Sequence, residues 1–111
     1  MKKSQTDGYI IVTLRIWEEN NHFVSECPEL DVASCGDTID EALDNIKEAT
    51  LLYINTIEEQ GERQRIFHER NIRLHHVEPP ESRKIDVRLN EFITTLITRV
   101  PASDDPIASA V

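Results

Sequence analysis

The chain has 111 residues, 39% of them hydrophobic and 30% charged, and its 21 acids against 12 bases give a formal net charge of −9. That length holds one domain with a modest core, and the composition is that of a soluble globular protein rather than a disordered one. The charge argues against a general grip on phosphate backbones, no run of about 18 apolar residues offers a membrane span, and the start lacks the long apolar stretch of an export signal, so the cytoplasm is the expected compartment.

The first expected element is a strand over Tyr9–Trp17, "YIIVTLRIW", dense in β-branched and aromatic residues. Ile10, Val12, Leu14 and Ile16 share one face of it. Asn20-Asn21 can supply the left-handed conformations of a tight hairpin, and "HFVSEC" (His22–Cys27) makes the return strand. Pro28 marks the strand end, and a short third strand over about Leu30–Ser34 completes a meander. Gly36 is read as a sharp turn. Thr38-Ile39-Asp40-Glu41 then has the capping-box pattern, with the Thr38 hydroxyl taking the N3 amide and Glu41 reaching back to the N-cap amide.

From there Ile39, Ala42, Leu43, Ile46, Ala49, Tyr53 and Ile57 recur at three- and four-residue steps. They predict one amphipathic helix from Ile39 to Gln60, capped by Gly61, long enough at about 30 Å to cross a small sheet. "NIRLHHV" alternates and reads as a fourth strand after Gly61. "KIDVRLNEF" also alternates, and "EFITTLITRV" is open to a helix or a strand until Pro101 stops it. The expected fold is therefore α+β, a β-β-β-α-β meander with one long helix packed on the sheet, over residues 9–78. Residues 83–100 form a C-terminal extension.

Charge is unevenly divided: residues 1–62 carry 14 acids and 4 bases, whereas 63–100 carry 8 bases and 5 acids. The acidic part suits a basic protein partner, with Asp40, Asp44, Glu48, Glu58 and Glu59 left on the outer side of the helix to meet it. Metal binding is not expected, because Cys27 and Cys35 are isolated and no second close pair follows. Cys27 reads as an inward-facing strand residue, and two free thiols fit a reducing compartment. A phosphate cradle at Gly36 is opposed by the surrounding acids and has no matching motif. No cofactor is implied. The enzymatic alternative is a nuclease pocket using one of His22, His68, His75 and His76 as base, with Arg73 or Arg88 stabilising charge. His75 and His76 are adjacent and would point to opposite faces of a strand, and no nucleophile motif stands out, so a non-enzymatic role is expected.

"HFVSECPELDVASCGDTIDEALDNIKEATLLYI" resembles the core of the HicB-like antitoxin family. The matching positions are Phe23, Pro28, Glu29, Leu30, Gly36, Asp37, Thr38, Glu41 and Ala42, and the likeness covers about residues 9–60. The resemblance implies a truncated double-stranded-RNA-binding-like fold. It also implies an antitoxin that binds a small basic RNA-cleaving toxin and occludes its catalytic surface. A stand-alone adaptor or regulator of the same fold is the alternative. "KIDVRLNEFITTLITRV" further resembles the first strand and helix of a ribbon-helix-helix module. On that likeness a homodimer would set Lys84, Asp86 and Arg88 against operator DNA and repress its own operon. Otherwise 83–100 is an extra strand, a dimer arm or a partner-binding tail, and a homodimer is expected because a small open sheet leaves an edge to cover.

Overall fold

The computed structural model describes residues 8–77, 86–88 and 91–100, the middle stretch as backbone only. The elements are β1 (Gly8–Glu19), β2 (His22–Cys27), β3 (Val32–Gly36), α1 (Ile39–Glu59), α2 (Arg63–Glu69), β4 (Asp86–Arg88) and β5 (Glu91–Val100). All strand pairs are antiparallel, in a five-stranded sheet of order β3-β2-β1-β5-β4. The fold is α+β: a three-stranded meander, a long helix across it, and later strands that join the same sheet.

The local signals that start each element are plain. Asn20 and Asn21 both take left-handed φ values, 52° and 67°, which match the right-handed twist of the flanking strands. Ile10, Val12, Leu14 and Ile16 are each 1% exposed or less, so period-two alternation puts the whole even-numbered face of β1 into the core. Against it α1 presents Ala42, Ile46, Thr50, Ile54 and Ile57. The buried stripe thus runs through Thr50 and Ile54, while Ile39, expected inside, is 40% exposed. The helix lies chiefly against β3 and β2 and less against β1.

Both ends of α1 are capped. The Thr38 hydroxyl accepts from the Glu41 amide at 3.0 Å, and Glu41 reaches back to the amide of Asp37 at 2.8 Å, one residue upstream of the expected partner. At the other end Gly61 has φ +71°, its amide donates to Glu58 and the Glu62 amide donates to Ile57, a Schellman closure. Gly36 has a different reason from the sharp turn read in the sequence. A Cβ there would lie 2.5 Å from the Ala42 amide nitrogen and 2.9 Å from the Glu41 carbonyl carbon, so only glycine lets β3 end against the first turn of α1.

Two expectations need correction. The third strand is shifted two residues along, to Val32–Gly36. The fourth strand expected over "NIRLHHV" is not formed, and the residues before it make the short helix α2, closed by a second Schellman turn at Asn71 (φ 58°), in which the Ile72 amide donates to Phe67. Beyond it, strand-like pairing shrinks to one bridge between Tyr9 and His75. The bridge cannot lengthen far into β1, because the Thr13 amide is already held by Glu29. Ile66, Phe67, Ile72 and Leu74 nonetheless extend the core.

Residues 91–100, which the sequence leaves open to a helix or a strand, are a strand. β5 pairs with β1 residue for residue, from Gly8 opposite Val100 to Trp17 opposite Glu91. Its isoleucines and threonines suit a pleated surface better than a helix. The expected extension 83–100 thus runs into the domain's own sheet, and the first helix of a ribbon-helix-helix is not formed. Leu96 packs on the core and Val100 is buried in it. Lys84 lies outside the described residues, and Arg88 lies in β4 in register with Glu91.

Candidate functional site

The "CPEL" turn, which looks chemically dense in the sequence, is a piece of sheet carpentry. The pairing of β2 with β1 ends at Glu26 opposite Arg15, which strands the Thr13 amide on a half-paired edge. Glu29 fills the gap: its carboxylate accepts from the Thr13 amide at 3.0 and 3.1 Å and from the Thr13 hydroxyl at 2.7 Å. Cys27 is fully buried and burial pushes its thiol up to about 11, the opposite of an activated nucleophile. Cys35 is exposed on β3, and both thiols are free.

The histidines are not gathered. His22 sits at the start of β2 with Nδ1 3.2 Å from the Asn20 carbonyl, His68 is exposed on α2, His75 makes the bridge to Tyr9, and His76 is exposed beyond it. Among the described residues no three His, Cys, Asp or Glu side chains are grouped to hold a metal ion. A shallow, open groove of about 310 Å³ runs beside α2, lined by Phe67, His68, Asn71, Ile72 and Arg73. It brings one histidine near one arginine of the sequence alternatives, with no carboxylate or nucleophile among its lining residues. No helix among the described residues is long and apolar enough to cross a membrane.

The outer side of α1 is the best-built contact surface. Asp40, Asp44, Glu48 and Glu59 are all exposed there. They follow one another at helical steps, about 200° round the axis from the buried stripe, over a ridge roughly 28 Å long. Glu58 is set apart from that row: it turns to α2, where its carboxylate is 2.7 Å from the guanidinium of Arg63. Between the acids, Leu51 is 41% exposed and Leu52 65%. These leucines were missed in the sequence, although the signal was present: both fall outside the three- and four-residue steps of the apolar stripe.

The opposite side of the sheet is a second surface. Both helices pack on the even-numbered face of β1, so among the described residues no element covers Tyr9, Ile11, Thr13, Arg15 and Trp17 or their neighbours on β2, β3 and β5. At its centre Arg15 bonds Glu91 at 2.8 Å and Glu26 at 3.1 Å, and its guanidinium lies 5.4 Å from the centre of the Trp17 ring. The hydrogen bond to Glu91 holds that guanidinium still more firmly protonated. The chain matches no protein-family model, no curated protein and no solved structure.

Proposed function

We propose that this chain is a non-catalytic, antitoxin-like inhibitor that masks a small basic RNA-cleaving protein. The observation that carries the reading is the α1 ridge, where exposed acids flank two exposed leucines. An interface of this kind needs an apolar centre for binding energy and a charged rim for speed and choice of partner. Leu51 and Leu52 supply the first, and Asp40, Asp44, Glu48 and Glu59 the second. Occluding a positively charged catalytic surface requires no chemistry from this chain. The family resemblance over residues 9–60 supplies the class of partner, and the two free thiols fit a cytoplasmic location. A stand-alone adaptor using the same ridge on another basic protein is the second reading. Self-repression through residues 83–100 is less favoured, since 91–100 is a strand of the sheet.

The test is reconstitution. A basic protein of about 60–80 residues encoded beside this chain, a size typical of a single small domain, is assayed for RNA cleavage with and without it. The expected result is stoichiometric inhibition that weakens with salt and is lost with Asp44→Lys plus Leu52→Asp. Inhibition untouched by those substitutions would move the contact elsewhere, and the absence of any inhibited nuclease would transfer the ridge to the adaptor reading.

A further inference from the structure

We propose that the free edge of β3 is a strand-addition site, which takes an extended, lysine- or arginine-bearing segment of another protein onto the sheet. β3 closes the described sheet on one side, next to β2. Which of its backbone groups are open follows from the register. Tyr9 exchanges both backbone hydrogen bonds with His75, and the Thr13 amide goes to Glu29, so the odd-numbered residues of β1 aim their backbone groups toward the β2 side. Glu26 and Val24, opposite Arg15 and Trp17, turn theirs to β1, which leaves those of Ser25 and Cys27 for β3. Ser34 and Val32 stand opposite Ser25 and Cys27 and bond β2, so the N–H and C=O of Ala33 and Cys35 point away from the sheet. Asn45 of α1 marks the same edge, where its side-chain amide donates to the Cys35 carbonyl at 2.8 Å. The Ala33 N–H, the Ala33 C=O and the Cys35 N–H have no described partner, and both residues are exposed. An added strand recognises a row of this kind, at the two-residue repeat of its own backbone.

Charge selects the occupant. From Cys27 to Ile46 the chain carries six acids, Glu29, Asp31, Asp37, Asp40, Glu41 and Asp44, and no lysine, arginine or histidine. Asp31 and Asp37 bracket the strand, are exposed and have no described basic partner. If β3 of a second copy paired antiparallel with full overlap, Ala33 would face Cys35 and Asp31 would face Asp37 at both ends. Like charges set directly opposite oppose that pairing. A phosphate backbone meets the same acids and is repelled. A segment with basic side chains toward both its ends is attracted, and its backbone takes up the hydrogen bonds that the bare edge offers. Asn45 blunts only the Cys35 carbonyl. The edge is thus kept from its own copies chiefly by charge, and that same charge draws a cation. The inference does not rest on the proposed function, because its binding groups are the backbone of β3 and not Leu51 and Leu52 of the ridge.

The probe is a synthetic peptide of alternating lysine and threonine added to the full chain, with a glutamate–threonine peptide as its control. Hydrogen exchange followed by NMR reads the site directly. With the lysine peptide, exchange of the Ala33 and Cys35 amides should slow at least about tenfold, whereas Val32 and Ser34, already bonded to β2, change little. Affinity measured by fluorescence anisotropy should fall as salt rises. Ala33→Pro removes an edge N–H that β2 does not use. The circular-dichroism spectrum should therefore be kept while affinity falls more than about tenfold. If Ala33→Pro does not fold, Asp31→Asn with Asp37→Asn gives the reading through a severalfold loss of affinity at low salt, and asparagine suits the left-handed φ of 57° at Asp31. Leu52→Ala on the ridge should leave the peptide's affinity unchanged, which separates failure of this site from failure of the proposed function. Binding that survives these β3 substitutions, equal binding of the glutamate peptide, or exchange of the two amides unaltered by the lysine peptide overturns the proposal. So does their protection by raising the protein's own concentration, which would make a second copy the occupant.

Discussion

Replacing Glu29 by alanine removes every acceptor that holds the Thr13 side of β1 where β2 has turned away. Three contacts go at once: the amide at 3.0 and 3.1 Å and the hydroxyl at 2.7 Å. The hydroxyl can turn to water, so its loss is small. The amide sits in a half-buried strand and was bonded to a charged acceptor, which sets the scale at about 1.5–2.5 kcal/mol. For a domain of this size that lowers Tm by roughly 6–10 °C. Glu29→Gln keeps an oxygen for the amide and should cost about half as much. Thr13→Val keeps the amide bond and loses only the hydroxyl. Urea unfolding of the two single variants and the double variant should give a coupling of about 0.5–1.5 kcal/mol. If Glu29→Ala stays within about 0.5 kcal/mol of the parent, as ordinary surface changes do, the carboxylate is not holding the sheet. Were Glu29 instead a partner contact, stability would be untouched and binding would fall.

Gly36→Ala forces a Cβ to within 2.5 Å of the Ala42 amide nitrogen, which is backbone and cannot swing aside. It should cost about 2–3 kcal/mol in thermal unfolding. Gly61→Ala meets open space and pays only for φ +71°, about 1 kcal/mol; equal losses would deny the close approach at Gly36. Thr38→Ala should cost about 1 kcal/mol and Thr38→Asp very little, since aspartate also caps. A disulfide reagent near neutral pH should titrate one thiol, Cys35, in the native protein and both after unfolding. Because burial raises Cys27 from 9.0 to about 11, the unfolded thiol ionises first, so stability should fall as pH rises between those values. Cys27→Ala should show a smaller fall over the same window.

Local signals were legible and non-local ones were not. The hairpin at Asn20-Asn21, the inward face of β1 and the Thr38 cap each depend on residues within a few positions of one another. The strand pairing of β1 with β5 joins residues more than seventy positions apart, and nothing within "EFITTLITRV" names its partner. The short helix α2 escaped because seven residues give barely two turns of pattern, and its first buried residue is an arginine. Arg63 looks like a surface charge until Glu58 is placed 2.7 Å from it. The acids of the ridge could be read from helical spacing, but not which of them turns away. That depended on α2, which the spacing did not reveal.

The charge division along the chain becomes a division in space only after folding. In sequence the second half looks basic, a candidate for phosphate contact. In the fold Arg63 is spent on Glu58, and Arg65 lies between Glu62 and Glu69, with its closest contact to Glu62. The positive groups of α2 are thereby paired with acids from the end of α1 and from α2 itself. Asp40, Asp44, Glu48 and Glu59 of the outer ridge have no described basic partner, and neither do Glu18, Glu19, Asp31 and Asp37 at strand ends and turns. The helix side therefore carries an outward row of acids. On the proposed function, a cationic partner steered by that field would meet the ridge with Leu51 and Leu52 at its centre.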